Sequence, residues 1–103
     1  MSGYYDKQGK PIDDLWEWSK LFSDWEYKRI AETQADASWV STVWLGSNHE
    51  WDPRKPPLIF ETMVLGGELG EECERYSTEA EAVAGHAAMV ARVYALRATQ
   101  IQA

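Results

Sequence analysis

Thr78-Glu79-Ala80-Glu81-Ala82-Val83-Ala84-Gly85-His86-Ala87-Ala88-Met89-Val90-Ala91-Arg92-Val93-Tyr94 is the stretch that decides how this chain folds. Thr78 and Glu81 have the spacing of a capping box, in which the hydroxyl and the carboxylate each accept from the other residue's backbone N–H. Ala80, Val83, Ala87, Val90 and Tyr94 follow at intervals of three and four, with Ala84 and Ala91 widening the stripe. This periodicity predicts a helix over 78–98 with one face that must be covered. On that wheel His86 falls about 80° from the centre of the stripe, at the edge of the buried face.

The cover comes from upstream. Tyr27–Gln34, Trp39–Leu45 and Leu58–Leu65 are rich in β-branched and aromatic residues and read as strands. The short polar link 35–38 joins the first two as an antiparallel hairpin. The loop 46–57 holds Pro53, Pro56 and Pro57, which remove donors and turn their neighbours away from helix. Residues 27–65 thus form a β-meander with one long loop, and Cys73–Tyr76 adds a short fourth strand after the Gly66-Gly67 break. Ahead of the meander, Asp14 and Glu17 have capping-box spacing and Leu15, Trp18, Phe22 and Trp25 form a stripe. A helix over 13–24 is expected, packing that stripe on the core. Trp16 lies off the stripe and is expected to be partly covered. Tyr4–Ile12 reads as a short hairpin or extended lead-in. The predicted fold is α+β, an antiparallel three- to four-stranded sheet against a long C-terminal helix, with a short N-terminal helix.

Composition bounds the rest. At 103 residues and 45% hydrophobic content the chain suits one domain, 1–103. No apolar run approaches the roughly 20 residues of a membrane helix, and the N-terminus lacks the basic-then-apolar order of a secretory signal. The expectation is a cytoplasmic protein that is neither secreted nor membrane-bound. The lone Cys73 cannot form an internal disulfide. Of the net charge of −7, −6 lies between Glu61 and Glu81, where seven acids face only Arg75. Nucleic-acid affinity comes largely from neutralised phosphates, so such a chain is unsuited to that partner, and a basic protein is favoured.

Val40–Gly46, His49, Pro56–Val64, Glu74–Ala82 and Gly85-His86, taken together, resemble a group of short uncharacterised proteins encoded by bacteriophages of actinobacteria, mycobacteria among them. The similarity runs from about Tyr4 to Tyr94. It implies an accessory protein made in the cytoplasm of an infected bacterial host, and it implies no mechanism, because the group has no established activity. The family's loop after His49 is usually glycine-rich, whereas here it reads Trp51-Asp52-Pro53-Arg54-Lys55.

Candidate sites are few. His49 and His86 are the only histidines, and no CxxC, HxH or HExxH spacing brings metal ligands together, so neither metal nor cofactor is expected. Glu61 interrupts an apolar strand whose faces, Ile59/Glu61/Met63/Leu65 and Leu58/Phe60/Thr62/Val64, are both largely apolar. If its face is covered, the carboxylate needs a partner, for example an arginine, or a raised pKa, and if the face is open nothing follows; the second apolar face suggests a loop, helix or second subunit over it. Trp51, Arg54 and Lys55 set an aromatic beside two cations in the loop, although a proline-stiffened loop could fold its Trp onto its own domain. Glu68, Glu71, Glu72 and Glu74 offer an acidic face, which could equally serve solubility. The leading expectation is a non-enzymatic protein that binds a host or phage macromolecule through these residues, with a homodimer as an addition that the aromatic count and the two-faced apolar strand favour. The second is a small hydrolase or metal-dependent enzyme using His49, Glu61 and His86. The third is a nucleic-acid-binding module of three-stranded sheet and helix, an arrangement that some integrase arm-binding domains share.

Overall fold

The computed structural model describes residues 3–102, so Met1 and Ser2, the first residues of the stretch read for a secretory leader, and Ala103 lie outside the described residues. The elements are α1 (Leu15–Phe22), α2 (Trp25–Lys28), β1 (Arg29–Ala35), β2 (Ser38–Trp44), β3 (Phe60–Leu65), β4 (Cys73–Tyr76) and α3 (Glu79–Gln102). The four strands form one antiparallel sheet in the order β1-β2-β3-β4, and α3 packs across all of them. This is the α+β architecture expected from the sequence.

Local chemistry sets the boundaries. Thr78 and Glu81 close a reciprocal box, with Thr78 N donating to Glu81 Oε1 at 3.0 Å and Glu81 N donating to Thr78 Oγ1 at 3.1 Å. The expected helix over 13–24 is instead two. Asp14 caps α1 by accepting from the N–H groups of Trp16 and Glu17, while Glu17 turns to Lys20 rather than back to the cap. Asp24 then accepts from Glu26 and Tyr27 N–H and starts α2, which displaces the start of the first strand to Arg29. The N-terminal lead-in is a hairpin: Asp6 N donates to Lys10 O and Ile12 N to Tyr4 O, both at 2.9 Å.

The register assigns faces. Val40, Thr42 and Trp44 of β2 and Phe60, Thr62 and Val64 of β3 point to α3, whereas Trp39, Ser41 and Val43 pair with Leu65, Met63 and Glu61 on the opposite face. Two apolar clusters lie under α3. One joins Ala35, Val40, Val64, Met89 and Val93, and the other Trp44, Ile59, Phe60 and Ala82. Between them runs a polar belt. Tyr76 Oη donates to Thr62 Oγ1, Thr62 bonds Thr42, and the His86 ring bonds Thr42 through Nδ1 and Thr33 through Nε2, both at 2.8 Å.

Two predicted stripes are therefore rotated. α3 buries Ala82, His86, Met89 and Val93, not the Val83–Tyr94 stripe, and Val83 is 54% exposed. His86 sits in the middle of the buried face, 7% exposed, because two inward threonines, Thr33 and Thr42, meet its polar ring. In α1, only Trp18 and Leu21 join the core; Leu15 and Phe22, and Trp25 at the start of α2, are exposed. Trp16, expected to be partly covered, is 69% exposed, with Lys20 Nζ 5.9 Å from its ring.

Burial holds the His86 imidazole below its ordinary value of 6.5. A neutral ring has one donor and one acceptor, and its two threonines satisfy both. Since the folded pKa is the lower one, the unfolded chain takes up the proton first. The linked stability is whole above 6.5 and is lost as pH falls from there through the folded pKa. Urea midpoints should fall between about pH 7 and 5, above the carboxylate range, and the fall should vanish in His86→Gln. An equal slope in that variant would remove His86 as the cause.

Candidate functional site

The three residues of the enzymatic reading do not converge. His86 lies under α3, bonded to threonines of β1 and β2. Glu61 is in register with Val43 and Arg75 on the other face of the sheet. His49 is exposed in the loop after β2, its Nε2 3.3 Å from Ser47 Oγ. With the sheet between Glu61 and His86, no substrate atom could reach both. Among the described residues no three His, Cys, Asp or Glu side chains are grouped to hold a metal ion, and no helix is long and apolar enough to cross a membrane.

Glu61 has the arginine partner its setting calls for. Arg75 Nε donates to Glu61 Oε2 at 3.0 Å across the β3–β4 pair, and the Cys73 thiol donates to the same oxygen at 3.2 Å. Burial, then the bond to Glu61, pushes the Cys73 thiol up from 9.0 to about 11. Although exposed, this thiol is almost wholly protonated at neutral pH. Alkylation by iodoacetamide near pH 7 should run about 10-fold slower than for an unperturbed cysteine, the loss of thiolate being partly offset by its greater nucleophilicity, and Glu61→Gln should speed it. A rate matching that of a free cysteine would contradict the Glu61 contact.

The binding candidates divide between two ends of the sheet. The loop holding Trp51, Arg54 and Lys55 joins the end of β2 to the start of β3, whereas Glu68, Glu71 and Glu72 lie in the connection after β3. Six residues of β3 separate the two, roughly 20 Å of strand. Glu74 stands between them on β4, and Glu72 is tied to Arg92 at 3.0 Å. The expected single contact surface is thus two. The acidic end borders a cavity of about 460 Å³, lined by Glu68, Leu69 and Val93 and by Asp36 and Arg97, which stand 3.5 Å apart.

The other end is aromatic. Trp18 lies between Tyr4 and Phe22, with ring centroids 4.5 and 4.8 Å away, and Trp44 meets Tyr27 edge-on at 5.0 Å. Trp18 Nε1 donates to Gly46 O at 3.0 Å, which fixes α1 over the turn that opens the loop. Gly46 has φ +78°, and an added Cβ would stand 2.7 Å from Trp18 Nε1, so only glycine fits this turn. Tyr4, Trp18, Phe22 and Trp44 line an open cavity of about 430 Å³ with Lys28 and His49 at its edge and no carboxylate in its lining. Beside it, Trp51 is 90% exposed instead of folded onto its own domain.

No family model, curated protein or solved structure matches this chain.

Arg54 is less available than its exposure suggests. Its Nε and Nη2 both bond Asp52 at 3.1 Å, and that fork holds the Asp52 carboxyl below the usual carboxylate range. The exposed apolar surface of α1 and α2, comprising Leu15, Phe22 and Trp25, was concealed in the sequence by the expectation that this stripe faced inward. The signal that could have revealed it is the second cap at Asp24, which shortens α1 to eight residues and leaves less of it to lie on the sheet.

Proposed function

We propose that this chain is a non-enzymatic accessory protein that binds a macromolecular partner through its aromatic end. The observation that carries this reading is Trp51, 90% exposed on an ordered loop beside an aromatic cavity. Tryptophan is among the residues that most often carry the binding energy of protein interfaces. Trp16 and Trp25 lie exposed at the same end and widen the surface. The resemblance to proteins of actinobacterial phages supports a setting inside an infected host cell, with a host or phage protein as the partner. The acidic connection around Glu68–Glu72 is a separate surface that a basic partner could use.

The test is capture of partners by the tagged chain in infected actinobacterial cells, with a variant in which Trp16, Trp25 and Trp51 are alanine alongside. The variant should lose proteins that the parent retains. An unchanged set of partners would exclude the aromatic end as the contact surface.

A further inference from the structure

Loop 46–57 is built to hold one large ring in water. Asn48 Oδ1 closes its base by accepting from Glu50 N at 2.8 Å and Leu58 N at 2.9 Å. Glu50 Oε1 accepts from Asp52 N at 3.1 Å, and Asp52 Oδ1 from Arg54 N at 3.0 Å. This ladder leaves the polar Asp52 buried and the neighbouring indole of Trp51 exposed, the reverse of what burial favours in a lone chain. Ordering the backbone that carries the ring lowers the entropy cost of docking it.

We propose that the cavity lined by Tyr4, Trp18, Phe22 and Trp44 receives Trp51 of a second copy of this chain, exchanged reciprocally about a two-fold axis. The proposal rests on the reading of the aromatic end as a contact surface and names one occupant for it. A two-fold interface requires knob and hole on the same patch. His49 lines the hole, and Trp51 follows two residues later, within about 7 Å along the chain. The hole is walled by aromatic rings and has room for a further indole at about 430 Å³.

Charge selects the copy. Lys28 Nζ lies 3.7 Å from the Phe22 ring centroid at the rim of the hole and, among the described residues, has no carboxylate partner. Among the described residues, Glu50, next to Trp51, accepts only a backbone N–H. Seating Trp51 of one copy in the other sets Glu50 against Lys28, twice. Two indoles and the walls they cover remove on the order of 600–1,000 Å² from water, below the standard size of a stable interface. The dimer is therefore weak and reversible, which leaves the surface open to another partner.

Sedimentation equilibrium of the full chain, from micromolar toward millimolar concentration, tests this. The expected result is a monomer–dimer equilibrium that Trp51→Ala weakens by about 100-fold or more, with the thermal midpoint of the monomer unchanged. Lys28→Glu and Glu50→Lys should each weaken it, and the double variant should return toward the parent. A chain that stays monomeric, a dimer indifferent to Trp51→Ala, or a double variant weaker than either single one would overturn the proposal. A monomeric chain that still loses captured partners on Trp51→Ala would overturn the dimer alone. A dimer broken by Trp51→Ala, with captured partners unchanged in the triple variant, would overturn only the hetero-partner reading.

Discussion

Replacing Gly85 by alanine should destabilise the domain by about 2 kcal/mol, against the direction of helix propensity. Propensity alone favours alanine in a helix interior by roughly 1 kcal/mol. Gly85, however, faces β4 across a contact that leaves no space for a methyl group: an added Cβ would overlap Oη, Cε1 and Cζ of Tyr76. The Tyr76 ring cannot simply turn aside. Its hydroxyl donates to Thr62 Oγ1 at 3.1 Å, and its ring packs on the cluster of Trp44, Phe60 and Ala82. Losing that bond costs about 1 kcal/mol, and overpacking a fitted contact costs roughly 1–3 kcal/mol, so together they outweigh the propensity gain. Urea unfolding of the variant measures the net. Tyr76→Leu in the same background should recover part of the loss, as coupled neighbours do. A variant more stable than the parent would mean that α3 does not approach β4 this closely.

The same contact shows which parts of the fold were legible in the sequence. Local chemistry could be read directly. The Thr78–Glu81 box and the hairpin before Ile12 depend on residues within a few positions of one another. The phase of α3 could not. Ala80/Val83/Ala87/Val90/Tyr94 and Ala82/His86/Met89/Val93 both recur at three and four, and hydrophobicity favours the first set because the second contains a histidine. What reverses the choice is far away in the chain: Thr33, Thr42 and Thr62 each point inward on adjacent strands, and a row of buried hydroxyls needs a polar partner opposite. Gly85, the one glycine inside the helical stretch, was a second clue, since it marks where the helix touches a neighbour.

The candidate site was legible in its residues and illegible in its grouping. Trp51 and the acids of the later connection lie within some twenty positions of each other in the chain, yet β3 carries the strand away between them and puts them at opposite ends. His49, Glu61 and His86 likewise fall on a loop, on one sheet face and under the other. Trp25 went unrecognised because a periodic stripe is read as a buried one by default, and α1 is too short to bury its own; Trp16, off the stripe, was given the partial cover usual for a Trp.

Trp44→Ala should have the largest effect of any substitution in the core, about 3–5 kcal/mol, a large part of the roughly 5–15 kcal/mol that holds a domain of this size. The ring is fully buried, edge-on to Tyr27, and packed with Ile59, Phe60 and Ala82. Its indole also does something a phenyl ring cannot: Nε1 donates to Tyr5 O at 2.9 Å, while Tyr5 N donates to Gly46 O at 3.1 Å. The N-terminal hairpin is thereby attached to the sheet on both sides of one residue. Trp44→Phe should keep most of the packing but lose the bond, at about 1–2 kcal/mol, and the loss should be local. Amide exchange is the discriminating measurement. In the phenylalanine variant, protection should fall first at Tyr5, Asp6 and Ile12, whose N–H groups bond within the hairpin or to Gly46, while β2 and β3 stay protected. Uniform loss across the sheet would show instead that the hairpin has no separate attachment. Because Trp44 and Tyr4 also line the aromatic cavity, loosening the hairpin removes a wall of the proposed contact surface. The phenylalanine variant should therefore weaken self-association while the sheet beneath remains folded, which separates the surface from the core that carries it.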